Sequence, residues 1–256
     1  MKLCWWHKKI KQMNPAVLWQ MITAKSNDLI PRHCLFCLQK THSSLDLCPH
    51  CIADLSLNTL CCQRCALPLE HVSPDSTTLC GNCLSHDYYY DQVFSPFHYS
   101  DDLAYLIKKL KYQQKIHYAG LLAKLFIEQA DAHTDFQLPQ AIIPIPMHSK
   151  RLKSRGYNQA LELSRIFSYY YQLPLDYTSL IRHRYTQLQA EMNASKRQKN
   201  VKNAFLLKQA MSYSHIVLVD DVMTTGSTVN EAAKVLKKSG IKRVDIWTIA
   251  RAGWKH

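Results

Sequence analysis

The stretch Ile216-Val217-Leu218-Val219-Asp220-Asp221-Val222-Met223-Thr224-Thr225-Gly226-Ser227-Thr228 decides how this 256-residue chain is read. Its first four residues form a continuous apolar run without alternation, the pattern of a parallel strand covered on both faces. Such a strand delivers Asp220 and Asp221 to its carboxyl end, where open α/β sheets place their ligands. The turn that follows is rich in hydroxyls, carries one glycine for close backbone approach and opens a helix. N–H groups at a helix amino terminus, together with hydroxyl donors, form a cradle for a phosphate monoester. Two adjacent carboxylates beside that cradle can accept hydrogen bonds from vicinal sugar hydroxyls, so the pieces suit a sugar phosphate. A Walker B strand has the same apolar-then-acidic form. The GxxxxGK[ST] loop that accompanies it is absent, as is a GxGxxG, because no two of the six glycines have the spacing.

Working outward, residues 92–256 alternate strand-like and helix-like patterns. Strands are expected at 93–99, 141–145, 178–181, 204–207, 216–219 and 244–249, and helices at 101–112, 117–130, 158–171 and 227–238. A basic loop spans 147–156 and a long polar segment spans 182–202, a length that suits an active-site lid. This alternation argues for an open α/β sheet with crossover helices. The basic loop follows a strand expected to lie beside the acidic-pair strand.

Four CxxC pairs precede this region: Cys34/Cys37, Cys48/Cys51, Cys62/Cys65 and Cys80/Cys83. The two-residue spacing turns both sulfurs toward one point, and two pairs complete a tetrahedral zinc site. Eight thiolates therefore make two structural Cys4 sites, with sequential pairing the simplest arrangement. Redox pairs, iron–sulfur ligation and disulfides are the competing readings, and four pairs in so short a span disfavour the first. Cys61 competes with Cys62 as a ligand; Cys62 keeps the spacing. Closed sites of this kind leave no position for catalysis.

Composition bounds the rest. An apolar fraction of 47% and a charged fraction of 20% describe a globular chain able to bury a core. No apolar run approaches the length of a membrane span and no secretory segment is evident, so a cytoplasmic protein is expected. The formal charge is +13. Residues 1–91 hold eight basic and seven acidic side chains, so nearly the whole excess lies in residues 92–256. A field of that sign attracts nucleic acid or small phosphorylated ligands. The cations cluster around Lys108, Lys109, Lys111 and Lys115, around Lys150, Arg151, Lys153 and Arg155, and around Arg182, Arg184, Lys196, Arg197, Lys199 and Lys202. Within residues 1–30, Asn14-Pro15 starts a short helix bearing Leu18, Met21 and Ile22 on one face.

The run 216–228 resembles the 5-phosphoribosyl-1-pyrophosphate (PRPP) motif of type I phosphoribosyltransferases. Pro144-Ile145-Pro146, then Arg151 and Arg155-Gly156-Tyr157-Asn158-Gln159-Ala160, resembles a segment of the ComF family, with tyrosine in place of phenylalanine. Cys62-Gln63-Arg64-Cys65-Ala66-Leu67-Pro68 and Cys80-Gly81-Asn82-Cys83-Leu84 resemble that family's double zinc ribbon. Lys111-Tyr112 and the Thr186, Gln189, Arg197, Asn200-Val201, Phe205 pattern fit as well. Leu188 departs from the proline often found there, and residues 1–30 exceed the usual short start.

The resemblance implies a phosphoribosyltransferase-like open, mostly parallel sheet with flanking helices, preceded by a small zinc-ribbon module. The expected division is an extension at 1–30, a double zinc ribbon at 31–91 and a phosphoribosyltransferase-like domain at 92–256. It further implies a competence or DNA-utilisation protein, with PRPP, single-stranded DNA and the DNA-uptake helicase machinery as partners. Asp220, Asp221, Thr224, Thr225, Gly226, Ser227 and Thr228 are then the PRPP residues. His148, Ser149, Lys150, Arg151 and Arg155 are the candidate pyrophosphate donors. Mg²⁺ is expected with PRPP, because a departing pyrophosphate needs its charge neutralised. Lys109, Lys111, Lys196, Arg197 and Lys199 remain for a nucleic-acid backbone. Three readings stay open: a Mg-dependent phosphoribosyltransferase of unknown acceptor, a non-catalytic PRPP-sensing DNA-binding protein, and an adaptor with a vestigial site.

Overall fold

The structure, a computed structural model, describes residues 32–43, 45–69, 78–113, 115–185 and 201–253. The chain divides into two compact units, Met1–Asp54 and Leu55–His256. The helix expected near residues 14–22 lies outside the described residues, as does most of the polar segment 182–202.

In the first unit β1 (Arg32–His33) and β2 (Lys40–Thr41) pair antiparallel, with Arg32 opposite Thr41. The turn between them carries Cys34 and Cys37 and closes on Leu38, whose φ of +61° is left-handed. The Leu38 N–H donates to the Cys34 carbonyl at 2.9 Å. Helix α1 (Pro49–Ala53) starts at Cys48, whose sulfur accepts the Cys51 N–H at 3.5 Å. Pro49 sits in the first turn, where its missing N–H would have had no intrahelical partner.

The second unit begins with the same device. The Cys62 N–H donates to the Leu67 carbonyl and the Ala66 N–H to the Cys62 carbonyl, both at 2.8 Å, and Ala66 is left-handed at φ +52°. Helix α2 (Gly81–Ser85) follows Cys80.

The central sheet is parallel throughout. It contains β3 (Gln92–Phe94), β4 (Phe97–His98), β5 (Ala141–Pro144), β8 (His215–Met223) and β9 (Arg243–Arg251), in the order β3-β9-β8-β5. β4 continues along β9 beyond β3, with Phe94 beside Trp247 and Phe97 beside Ala250. The single strand expected at 93–99 is thus two pieces, because Pro96 between them has no N–H to give the ladder. Ile143, Ile216, Leu218, Val244 and Ile246 face helix α7 (Ser227–Lys238), which approaches through Val229, Ala232, Ala233 and Leu236. The other face meets α4 (Tyr118–Asp131) and α6 (Gln159–Tyr171), where Phe126 and Phe167 lie 5.7 and 5.8 Å from the Trp247 ring. Helix α3 (Asp101–Tyr112) packs on α4 and buries Leu103, Leu106, Ile107 and Leu110. A separate antiparallel pair, β6 (Leu180–Arg182) and β7 (Phe205–Leu207), flanks α7.

The basic segment expected as a loop over 147–156 is in fact largely helical, as α5 (Ser149–Arg155). Nothing between Ser149 and Arg155 breaks a helix, and both ends are capped. The His148 ring accepts the Lys150 N–H at 3.2 Å, and Gly156 stops the helix at φ +89°. No described helix is long and apolar enough to cross a membrane.

Candidate functional site

Parallel pairing of β5 with β8 places Pro144 beside Val219, and the Ile145 N–H donates to the Val219 carbonyl at 2.8 Å. The chain leaving β5 therefore enters α5 at the same sheet end where β8 presents Asp220 and Asp221. Each of these carboxylates folds back on the next amide: Asp220 accepts from the Asp221 N–H and Asp221 from the Val222 N–H, both at 2.9 Å.

A cation not assigned to this site from sequence completes the acidic pair. Lys111, at the end of α3, places its ammonium 2.9 Å from Asp221 Oδ2, and both side chains are largely buried. Burial opposes the charge on Lys111, but the two aspartates outweigh it and raise its pKa. Crowding around Asp220 pushes its carboxyl up to about 7, the charge on Asp221 adds to this, and Lys111 opposes it. The guanidinium pKa values of Arg151 and Arg182 are both lowered, chiefly by desolvation. Each also feels a second arginine: Arg155 beside Arg151, and Arg151 beside Arg182. Asp221 favours the charged form of Arg151, and Asp220 that of Arg182. Lys111, Arg151 and Arg182 thus share the electrostatic surroundings of the two aspartates.

The turn behaves as its composition predicts. Gly226 takes φ +74° at the amino end of α7, and Thr225 and Ser227 join hydroxyls at 2.9 Å. A Cβ on Gly226 would lie 2.6 Å from Met223 Cε, so the left-handed turn is also a tight one. The first N–H groups of a helix lack intrahelical partners and are available to an anion.

The Arg155–Ala160 segment is fixed by its own hydrogen bonds. Arg155 Nη1 donates to Gln159 Oε1 at 2.9 Å. Asn158 caps α6 by accepting the Ala160 N–H at 3.1 Å and ties back to the Ile145 carbonyl at 3.0 Å. The buried Tyr157 hydroxyl donates to the Leu110 carbonyl, the residue before Lys111. Around the rim, Arg155 lies 5.3 Å over the Tyr112 ring and Lys150 lies 5.6 Å over the Tyr185 ring. His148 also contacts Tyr185, at 5.2 Å.

Of the residues assigned to a nucleic-acid backbone, Lys109 sits 4.8 Å over the Tyr105 ring. Lys111 is engaged at the acidic pair. Lys196, Arg197 and Lys199 lie outside the described residues.

Two cysteine clusters form, Cys34, Cys37, Cys48 and Cys51 in the first unit and Cys62, Cys65, Cys80 and Cys83 in the second. The Cys37–Cys48 and Cys65–Cys80 sulfurs are 3.7 and 3.6 Å apart. Zn–S bonds of about 2.3 Å give a tetrahedral edge of about 3.8 Å, close to these two separations, and each set of four sulfurs lies within 4.8 Å of one another. None of the eight forms a disulfide. Cys61 stays outside the cluster, and burial pushes its thiol up to about 11.

Comparison with known proteins agrees with both halves. The double zinc ribbon domain matches residues 26–84 and the phosphoribosyl transferase domain residues 129–255. The fold and site define a phosphoribosyltransferase-type α/β domain behind paired zinc ribbons. Competence protein F of Haemophilus influenzae is 35% identical over 225 residues, covering 80% of this chain and 96% of that protein. The DNA utilization protein YhgH of Salmonella typhimurium is 32% identical over 226 residues, covering 87% and 98%. The competence protein ComFC of Streptococcus pneumoniae is 25% identical over 210 residues, covering 80% of each. This chain belongs to the ComF family.

Proposed function

We propose that this protein binds Mg²⁺–PRPP at the carboxyl end of β8 and handles incoming single-stranded DNA in the cytoplasm, as part of DNA uptake or utilisation. Supporting the first half is the juxtaposition of Asp220, Asp221, Lys111, Arg151 and Arg182 with the turn 224–228. In this reading the 5-phosphate sits in the turn, against the N–H groups at the start of α7 and the hydroxyls of Thr224, Thr225, Ser227 and Thr228. The ribose hydroxyls donate to Asp220 and Asp221. Arg151 and Arg182, with His148, Ser149, Lys150 and Arg155 of the α5 segment, take the pyrophosphate. Bound magnesium supplies charge neutralisation on the pyrophosphate oxygens. The functional boundaries we assign are 1–30, 31–91 and 92–256.

The DNA half is supported by the family, whose members include a competence protein F and a DNA utilization protein. The basic balance of residues 92–256 and the exposed Tyr112 and Tyr185 beside Arg155 and Lys150 support it as well. An uptake helicase is the partner this role calls for. Whether PRPP is consumed or sensed is decided by one experiment, pyrophosphate release from PRPP with and without single-stranded DNA. Replacing Asp220 and Asp221 together by alanine removes both ribose acceptors. Hydrogen bonds to charged groups are worth about 1.5–3 kcal/mol each, so PRPP binding should fall at least tenfold. Equal affinity for wild type and variant rules the assignment out.

A further inference from the structure

We infer that the second zinc site, Cys62, Cys65, Cys80 and Cys83, holds the phosphate turn in shape through Arg251, so that zinc occupancy there sets affinity for the sugar phosphate. This deepens the PRPP reading and rests on it for the ligand's identity.

Arg251 ends β9 and is only 2% exposed. Its Nε donates to the Cys65 carbonyl at 2.9 Å, inside the zinc knuckle. Its Nη1 donates to the Met223 carbonyl at 3.1 Å, to the Ala252 carbonyl at 2.7 Å and to the Thr224 carbonyl. One rigid fork therefore spans from a zinc-ligand residue to the first residue of the phosphate turn. Among the described residues no carboxylate forms an ion pair with it. A buried guanidinium without a counter-charge is costly. Zn²⁺ with four thiolates carries two net negative charges, and this is the counter-charge the fold provides.

Tyr90 lies beside the same turn. Tyr90, 1% exposed, places its hydroxyl 3.6 Å from where a Cβ on Gly226 would sit. Its ring stacks on Tyr88 at 5.1 Å, and the Tyr88 carbonyl accepts from Arg64 Nη2 at 2.8 Å. Arg64 lies between Cys62 and Cys65. The knuckle thus reaches the turn at Thr224 through Arg251, while Tyr90 fills the space beside Gly226. Arg251 is a positioning residue, since it touches the backbone of the turn and not the reacting atoms.

The test uses the full zinc-loaded chain and Arg251→Lys, which keeps the charge but cannot span both carbonyl groups. Three quantities are measured: zinc content, hydrogen exchange of the peptide covering 222–230, and Mg²⁺–PRPP affinity by calorimetry. The expected variant keeps both zinc ions, exchanges faster within 222–230 and binds PRPP about tenfold more weakly, a typical coupling between linked sites. Because coupling is reciprocal in binding free energy, PRPP should also raise the affinity for one zinc ion, so that more chelator is needed at equilibrium to remove it from wild type but not from the variant. Unchanged exchange and affinity in a zinc-replete variant overturn the inference. Should Arg251→Lys lose zinc on purification, wild-type protein titrated with chelator replaces it. Exchange within 222–230 that does not follow loss of the second ion then overturns the inference equally. If wild type binds no PRPP while 222–230 still loosens with zinc loss, the coupling stands and the PRPP reading falls.

Discussion

Lys111 and Asp221 meet at 2.9 Å across 110 positions of sequence, joining the end of α3 to the end of β8. The pair explains how two adjacent carboxylates persist at one partly buried strand end. Lys111 lowers the cost of the charge on Asp221 and moderates the upward push on Asp220. Tyr157 holds α3 in register for this by donating to the carbonyl of the preceding residue, Leu110.

Lys111→Met is therefore expected to act at the site and on the fold. Removing one partner of a buried pair costs about 3 kcal/mol, because the other charge is left uncompensated. With the lysine gone, the Asp220 carboxyl should titrate above about 7. Denaturant unfolding measures the first effect and calorimetry with Mg²⁺–PRPP the second, where at least a tenfold loss is expected. Wild-type stability and affinity would show that the lysine is a surface cation.

Asp220 makes binding depend on pH. Its folded-state value, about 7, lies above the ordinary carboxylate value of 3.8, so the free protein holds the acid form only below about 7. Asp220 therefore contributes stability that is fully present below pH 3.8 and is lost as pH rises through about 7. Ribose hydroxyls donate more strongly to the carboxylate than to the acid, so PRPP affinity should rise as pH climbs from 6 through about 7 and then level off. Phosphate groups of the ligand titrate in the same range, and Asp220→Asn separates the two contributions. The variant should bind weakly with a shallower pH slope. Identical slopes in the two proteins would place the titration on the ligand alone.

The acidic strand end, the glycine turn that opens α7 and the cysteine clusters are legible from the chain because each is a local pattern. Ile216–Val219, Gly226 and the CxxC spacings carry their chemistry within a few residues. What escaped was set by long-range pairing. Lys111 reads as one lysine of a basic helix until α3 is laid beside β8, and Arg182 reads as part of a polar loop until β6 brings it toward Asp220. Arg251 has a single signal, a cation at the end of an otherwise apolar strand, and its role depends on a ribbon 186 positions away. The α5 segment was misread because its seven residues carry charge without apolar periodicity, and its helix rests on the caps His148 and Gly156.

Elemental analysis should find about two zinc ions per chain in protein purified without added metal. Cys34→Ser should lose the ion of the first unit and Cys80→Ser that of the second, since each residue belongs to one cluster. Both variants should unfold at lower temperature, because structural zinc contributes folding energy directly. A count near zero, or iron in place of zinc, would overturn the zinc assignment.

Single-stranded DNA binding should show little sequence preference and a pronounced dependence on salt. Tyr112 and Tyr185 are 70% and 47% exposed, and each carries a cation over its ring, Arg155 and Lys150 respectively. An exposed aromatic beside a cation suits base stacking next to a phosphate backbone, and stacking is worth about 1–3 kcal/mol per base. Tyr112→Ala should therefore weaken DNA binding about tenfold or more while leaving the salt slope intact, because stacking releases no counterions. Replacing Lys196, Arg197 and Lys199 together by alanine should do the reverse. Each backbone phosphate neutralised on a single strand steepens log K against log salt by about 0.7, so the slope should flatten by up to about 2. Fluorescence anisotropy with a labelled oligonucleotide at stepped salt reads both effects. The PRPP site offers a competing explanation for the charge, since the same cations can serve a polyanionic small ligand. Binding that is absent at low ionic strength, or that does not weaken with salt, would favour that explanation and leave DNA handling to a partner protein.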